Sequence, residues 1–147
     1  YMPQIQRAVQ PLVERQLSPQ DSPCEDLVGG ALDGFPPGTG ATASDLSAFV
    51  AARLVLGRTQ ETQRVLLAEQ WQRAAVLACR YLLQFQFTAR NSYYVMSPGR
   101  SLGGIRRRPG SNMAPLQSAR DALEALTLYT NAFPNTQHEH DSQSQNQ

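Results

Sequence analysis

Over residues 1–134, sliding the chain along itself by 70 positions aligns eleven identical pairs without a gap. They are Ala8/Ala78, Leu12/Leu82, Gln16/Gln86, Ser22/Ser92, Gly29/Gly99, Leu32/Leu102, Gly34/Gly104, Gly40/Gly110, Leu46/Leu116, Ala52/Ala122 and Leu56/Leu126. Conservative pairs join them at Val13/Leu83, Leu17/Phe87 and Phe35/Ile105. Leucine and alanine recur where apolar periodicity is helical, and glycine recurs where it is interrupted. A repeat of this length is one supersecondary unit whose apolar face must be buried against its neighbour. The expected fold is therefore all-α: two helix-loop-helix units at about 1–64 and 71–134, followed by a polar tail at 135–147. Helical-hairpin repeats of this kind stack into part of a curved array.

The elements of each unit follow from spacing. Ile5, Ala8, Val9, Leu12, Val13 and Leu17 keep the i, i+3, i+4, i+7 pattern over 2–17, with Pro11 as a break inside it. The counterpart at 60–87 lacks proline and glycine, has Thr59 as N-cap, and carries Val65, Leu66, Ala68, Trp71, Ala75, Ala78, Leu82 and Phe85 on one stripe. A second helix is expected at 43–57, capped by Thr42 or Ser44 and ended by Gly57, with Leu46, Phe49, Val50, Leu54 and Val55 inward. Its counterpart starts from Asn112 and Pro115, turns Leu116, Ala119, Ala122, Leu123, Leu126 and Tyr129 inward, and stops at Asn131 to Pro134. The loops between, 18–42 and 88–112, have no period. Loops this long in a compact domain are functional or packed on the body. In each, a glycine allows a tight turn and the next apolar residue, Phe35 or Ile105, plugs the core.

Composition removes several classes of function. All 13 basic residues are arginine and 12 residues are acidic, for a formal net charge of +1. A chain so balanced is not built on nucleic-acid electrostatics, so no nucleic-acid partner is expected. Two cysteines make neither a disulfide framework nor a cysteine-rich zinc module. No apolar run approaches a membrane span and no leader is evident, so a cytoplasmic or otherwise soluble chain is expected, with the compartment itself and membrane association left open. With Tyr1 in place of methionine, the expectation is an excerpt, or a processed piece, of something longer. The tail His138–Gln147 holds no apolar residue and is expected to be disordered, with His138 and His140 solvated.

The motifs resemble one superfamily. Tyr81-Leu-Leu-Gln-Phe-Gln86, then Ser92-Tyr-Tyr-Val95, then Gly103-Gly-Ile-Arg106, then Ser118-Ala-Arg-Asp-Ala-Leu123, is similar to the repeats of the terpenoid cyclase and protein prenyltransferase α/α toroids, above all to squalene-cyclase-like C-terminal repeats. The likeness runs over roughly residues 4–130. It implies alternating outer and inner helices around an apolar cavity for an isoprenoid or another apolar small molecule. It also implies that the remaining hairpins come from a longer chain or an oligomer, and that any enzyme so built is a cyclase-like isomerase or lyase. Two features of the superfamily are missing from this sequence. There is no Asp-x-Asp-Asp acid, and both histidines lie in the tail, away from any zinc set. The resemblance thus implies a terminal segment with no catalytic residue, metal or cofactor of its own. The alternative is a non-enzymatic scaffold presenting a concave surface.

Ligand contacts, if made, are expected from Tyr93, Tyr94, Gly103, Gly104, Arg106 and Arg107. Aromatic faces stabilise cations, and arginine grips phosphate or carboxylate bidentately. The plainer alternative has the tyrosines packing the loop with hydroxyls at the surface, and the run Arg106–Arg108 solvated or paired with Asp121 or Glu124. Gln16, Gln86 and Gly34 are expected to be structural, the glutamines tying helix ends to loop backbone. Trp71 and Cys79 read as core. Cys24, beside Glu25 and Asp26, is a poor thiolate, and those two carboxylates read as surface.

Overall fold

The computed structural model describes residues 2–57, 61–93, 95 and 97–134. Thr59, Tyr94 and the tail with His138 and His140 lie outside the described residues. The fold is all-α. Helices run α1 Met2–Glu14, α2 Thr39–Leu56, α3 Thr62–Gln84, α4 Pro98–Ser101 and α5 Leu116–Ala132, with a 3-10 turn at Glu25–Leu27. The described residues form no strand.

α2 is the hub. It packs along α3 on one side and α5 on another, and it touches α1 more lightly. Leu46, Phe49 and Val50 of α2 are fully buried against Trp71, Ala75, Ala78 and Leu82 of α3 and Ala122 and Ala125 of α5. Alanine at the contacts lets helix axes approach closely, and the large rings fill the space that remains.

Each loop closes the same way, in a clasp of backbone hydrogen bonds. In the first, Leu17 N–H donates to Gly30 O, Gly29 N–H to Leu17 O, and Leu32 N–H to Arg15 O. In the second, Phe87 donates to Gly104, Gly103 to Phe87, and Arg106 to Phe85. The isolated bridges Gln16/Ala31 and Gln86/Ile105 sit at their centres. Extended backbone on both arms satisfies groups that a helix end would otherwise leave open.

This geometry corrects the ungapped register. The helix-end arms match at a spacing of 70, but Ala31 matches Ile105, a spacing of 74. The buried faces of α2 and α5 then align at 76, as Thr42/Ser118, Leu46/Ala122 and Phe49/Ala125. The second loop is longer and holds α4, and a comparison without gaps cannot see an insertion. Gly34 and Gly104 are therefore not equivalent; Gly30 and Gly104 are. The plug of the first loop is Ala31, almost fully buried, while Phe35 is exposed; in the second loop Ile105 is buried as expected.

Further expectations from helical spacing are corrected by the observed faces and ends of the helices. Leu116 is 87 % exposed and Leu123 is also exposed, because α5 buries Ser118, Ala122 and Ala125 instead. Leu54 and Val55 face out of α2. α1 ends at Glu14, and its last residues leave the helix to enter the clasp. α2 starts earlier than expected, with Gly38 at the N-cap position and Thr42 inside the helix. α5 starts after Pro115, so Asn112 is no cap.

Candidate functional site

The two loops meet at the rim where α2 begins. Thr39, the first residue of α2, donates its hydroxyl to the carbonyls of Arg106 (2.8 Å) and Arg107 (3.1 Å), and its N–H to Arg107 O. Tyr81 of α3 donates its phenol to Pro37 O at 2.7 Å in a buried setting. Burial raises the Tyr81 hydroxyl far above its ordinary value, first among its causes, so it stays a donor throughout the physiological range. Tyr81→Phe is expected to cost about 1–2 kcal/mol, because Pro37 O loses a buried partner. Chemical denaturation of the two chains measures it.

Gln16 Nε2 donates to Gly29 O at 3.2 Å and to Ala74 O of α3 at 2.9 Å, tying loop backbone to the neighbouring unit. Gln86 occupies the matching place in the second clasp, where its backbone carbonyl accepts from Asn91 Nδ2 at 3.0 Å. Gln16→Ala should lower stability by about 1 kcal/mol, with faster amide exchange at Gly29 and Gly30 as the local sign.

The arginine run separates into three environments. The Arg106 guanidinium lies 4.7 Å from the centre of the Phe87 ring, and its Nη2 donates to Asn91 O at 3.4 Å. The Arg107 side chain is exposed. Arg108 faces Asp33 at 3.9 Å, not Asp121 or Glu124, and flanks the space beside Gly34. Asp121 accepts instead from Gln117. Tyr93 is 80 % exposed and Gly103 is exposed, whereas Gly104 is half-buried below Ala114 and Phe87. The structure brings Gly104 and Arg106 together around Phe87, while Tyr93 and Arg107 are exposed. Gly34 adopts φ +154, and an added Cβ would meet only the Arg108 side chain.

Sequence reasoning missed one charged pair. Asp45 lies on the buried face of α2 and binds Arg15 through two contacts, Nε to Oδ2 at 2.9 Å and Nη2 to Oδ1. The available signal was a carboxylate at a core-facing position of a helix whose other charge is Arg53. Burial pushes the Cys79 thiol up, which keeps it protonated. Among the described residues, no group of three or more His, Cys, Asp or Glu side chains can hold a metal ion.

The outward side of α2 has a different character. Gly40, Ser44, Ser47, Ala48, Ala51, Leu54 and Val55 share it, and none is charged. At its start, Gly40, Ala43, Ser44 and Ser47 border Asp121 and Glu124 of α5 around an open groove of about 320 Å³. The stripe passes from small and polar residues at its start to apolar ones, Ala48, Ala51, Leu54 and Val55, towards its end. No helix among the described residues is long and apolar enough to cross a membrane. Comparison of the chain with known protein families, curated proteins and solved structures gives no match.

Proposed function

We propose that this chain is a wall segment of a terpenoid-cyclase-like α/α toroid, in which α2 and α5 are inner helices, α1 and α3 are outer helices, and the segment helps enclose an apolar cavity of isoprenoid type. The supporting observation is the uncharged outward stripe of α2, running from Gly40 through Ala51 to Val55. Water solvates its apolar part, Ala48, Ala51, Leu54 and Val55, poorly, and an extended hydrocarbon matches it. The segment supplies shape and apolar surface; a reaction in that cavity draws its acid or metal from other residues. Arg106 then acts as a brace for the rim loop through Phe87, not as a ligand for pyrophosphate. A second reading, a non-enzymatic scaffold for protein contacts, is favoured by Leu116 and Leu123, both exposed on α5.

A dansyl-farnesol probe separates the two. The chain is expected to bind it saturably, and Ala51→Glu should weaken binding roughly tenfold, ~1.4 kcal/mol, with helix content unchanged by circular dichroism. Leu123→Gln should have no effect. Binding that is absent, or sensitive to Leu123→Gln and not to Ala51→Glu, contradicts the cavity and supports the scaffold.

A further inference from the structure

The first clasp does more than close its own loop; it seats the first unit on α3. Gln16 reaches the Ala74 carbonyl of α3. Gly29 lies so close to that helix that an added Cβ would stand 2.2 Å from Leu77 O. Val13 shares a groove with Leu66, Gln70, Ala74 and Leu77, and Val28 shares another with Leu77 and Tyr81. The clasp hydrogen bonds map these four residues onto the second unit as Val13 to Leu83, Gln16 to Gln86, Val28 to Leu102 and Gly29 to Gly103. There the surface is open. Leu83 is 50 % exposed and Leu102 51 % exposed. Among the described residues, nothing lies within 4 Å of a Cβ added to Gly103.

We propose that the second clasp is a docking surface for an α-helix of the α3 kind, contributed by a further hairpin repeat, an inference that rests on the repeat-array reading above. The occupant is specified by what the first clasp holds: small residues where α3 has Ala74, Ala75 and Ala78, so that its backbone can approach Gly103 and its carbonyl can meet Gln86. Leu83 and Leu102 flank it as apolar walls. A second copy of this chain fits less well. Its α3 face is already occupied by its own first clasp. Its α1 places Gln4 where α3 has Ala74, Arg7 where α3 has Leu77, and Pro11 where α3 has Tyr81. Those α1 residues are exposed and polar in character, apart from Pro11.

The test uses the full chain, isotope-labelled, and a hydrocarbon-stapled peptide of residues 62–84 as the probe. Amide shifts are expected at Leu83, Gln86, Leu102 and Gly103, saturating with peptide. Leu102→Glu in the chain should weaken the interaction at least tenfold, and so should Ala78→Leu in the peptide. Leu102 is half exposed, so its variant leaves the core intact. No shift at these four amides up to millimolar peptide overturns the proposal. So does self-association of the chain that perturbs the same amides and is abolished by Ala8→Glu on α1, because the occupant is then a second copy. This experiment reads only the second clasp. A chain that binds peptide but not dansyl-farnesol keeps the docking surface and loses the apolar cavity, and the opposite pattern does the reverse.

Discussion

Replacing Gly29 with alanine is expected to cost roughly 3–4 kcal/mol, from about 1–2 for left-handed backbone and the rest from overpacking. Gly29 has φ +89, where a side chain is strained whatever the space. Its new methyl would also stand 2.2 Å from Leu77 O and 2.5 Å from Leu77 C, both backbone atoms of α3. Neither can swing aside, so the clasp must lift from the helix and stretch the Gln16–Ala74 bond. A drop of this size is a large share of a domain's whole stability and corresponds to roughly 10 °C in midpoint. Gly103→Ala gives the control within the same chain. It has φ +82 but no described neighbour within 4 Å of the new atom, so it should cost only the conformational part, about 1–2 kcal/mol. Thermal melts of the two variants side by side measure the difference. Equal losses would mean that the first clasp is not seated on α3.

Removing the guanidinium from Arg15 should cost about 2 kcal/mol near pH 8, less than a fully buried pair because Arg15 is itself partly in water. Asp45 is the group that suffers. Its side chain is only 3 % exposed. Burial is the largest influence on its carboxyl and pushes it above the ordinary value, against the hydrogen bond and charge of Arg15, which pull it down. The hydrogen bond to Asp45 in turn holds the Arg15 guanidinium above its ordinary value. A carboxyl raised in the folded state binds its proton more tightly there than in the unfolded chain. Stability contributed by Asp45 therefore falls as pH rises from the ordinary carboxylate range through the raised value, and levels off above it. In Arg15→Gln the opposing pull is gone, the window widens upward, and the fall is steeper. The variant should thus be clearly destabilised at pH 8 and approach the parent as acid protonates Asp45. Denaturant titrations at pH 5 and pH 8 test this. A deficit independent of pH would assign the loss to packing of the arginine stem.

The helices were legible because their signals are local. Trp71, Ala75, Ala78 and Leu82 recur at helical spacing, and all are buried in α3. The glycine-bearing turns were legible as turns but not as equivalents. Gly29 and Gly34 have the same left-handed permission in sequence, and only the hydrogen bonds to Leu17 distinguish the clasp glycine from the loop glycine. The extra residues around α4 shift every later match of the two units; Leu116 stands in water for a separate reason, because apolar spacing alone does not say which face of α5 meets α2. The pairings of Thr39, Tyr81 and Asp45 are illegible for a different reason. Their partners, Arg106 and Arg107, Pro37, and Arg15, lie 30 to 68 positions away in sequence, and no periodicity carries information over that distance. The open character of the second clasp required both the three-dimensional equivalence and the exposure of Leu83 and Leu102.

If the uncharged side of α2 lines an apolar cavity, as proposed, farnesol must contact it. Methyl-labelled chain titrated with farnesol tests it at the residues concerned. Saturable shifts are expected at the methyls of Ala48, Ala51, Leu54 and Val55, with those of Leu116 and Leu123 unmoved. Shifts confined to the α5 leucines, or none at all, would contradict it.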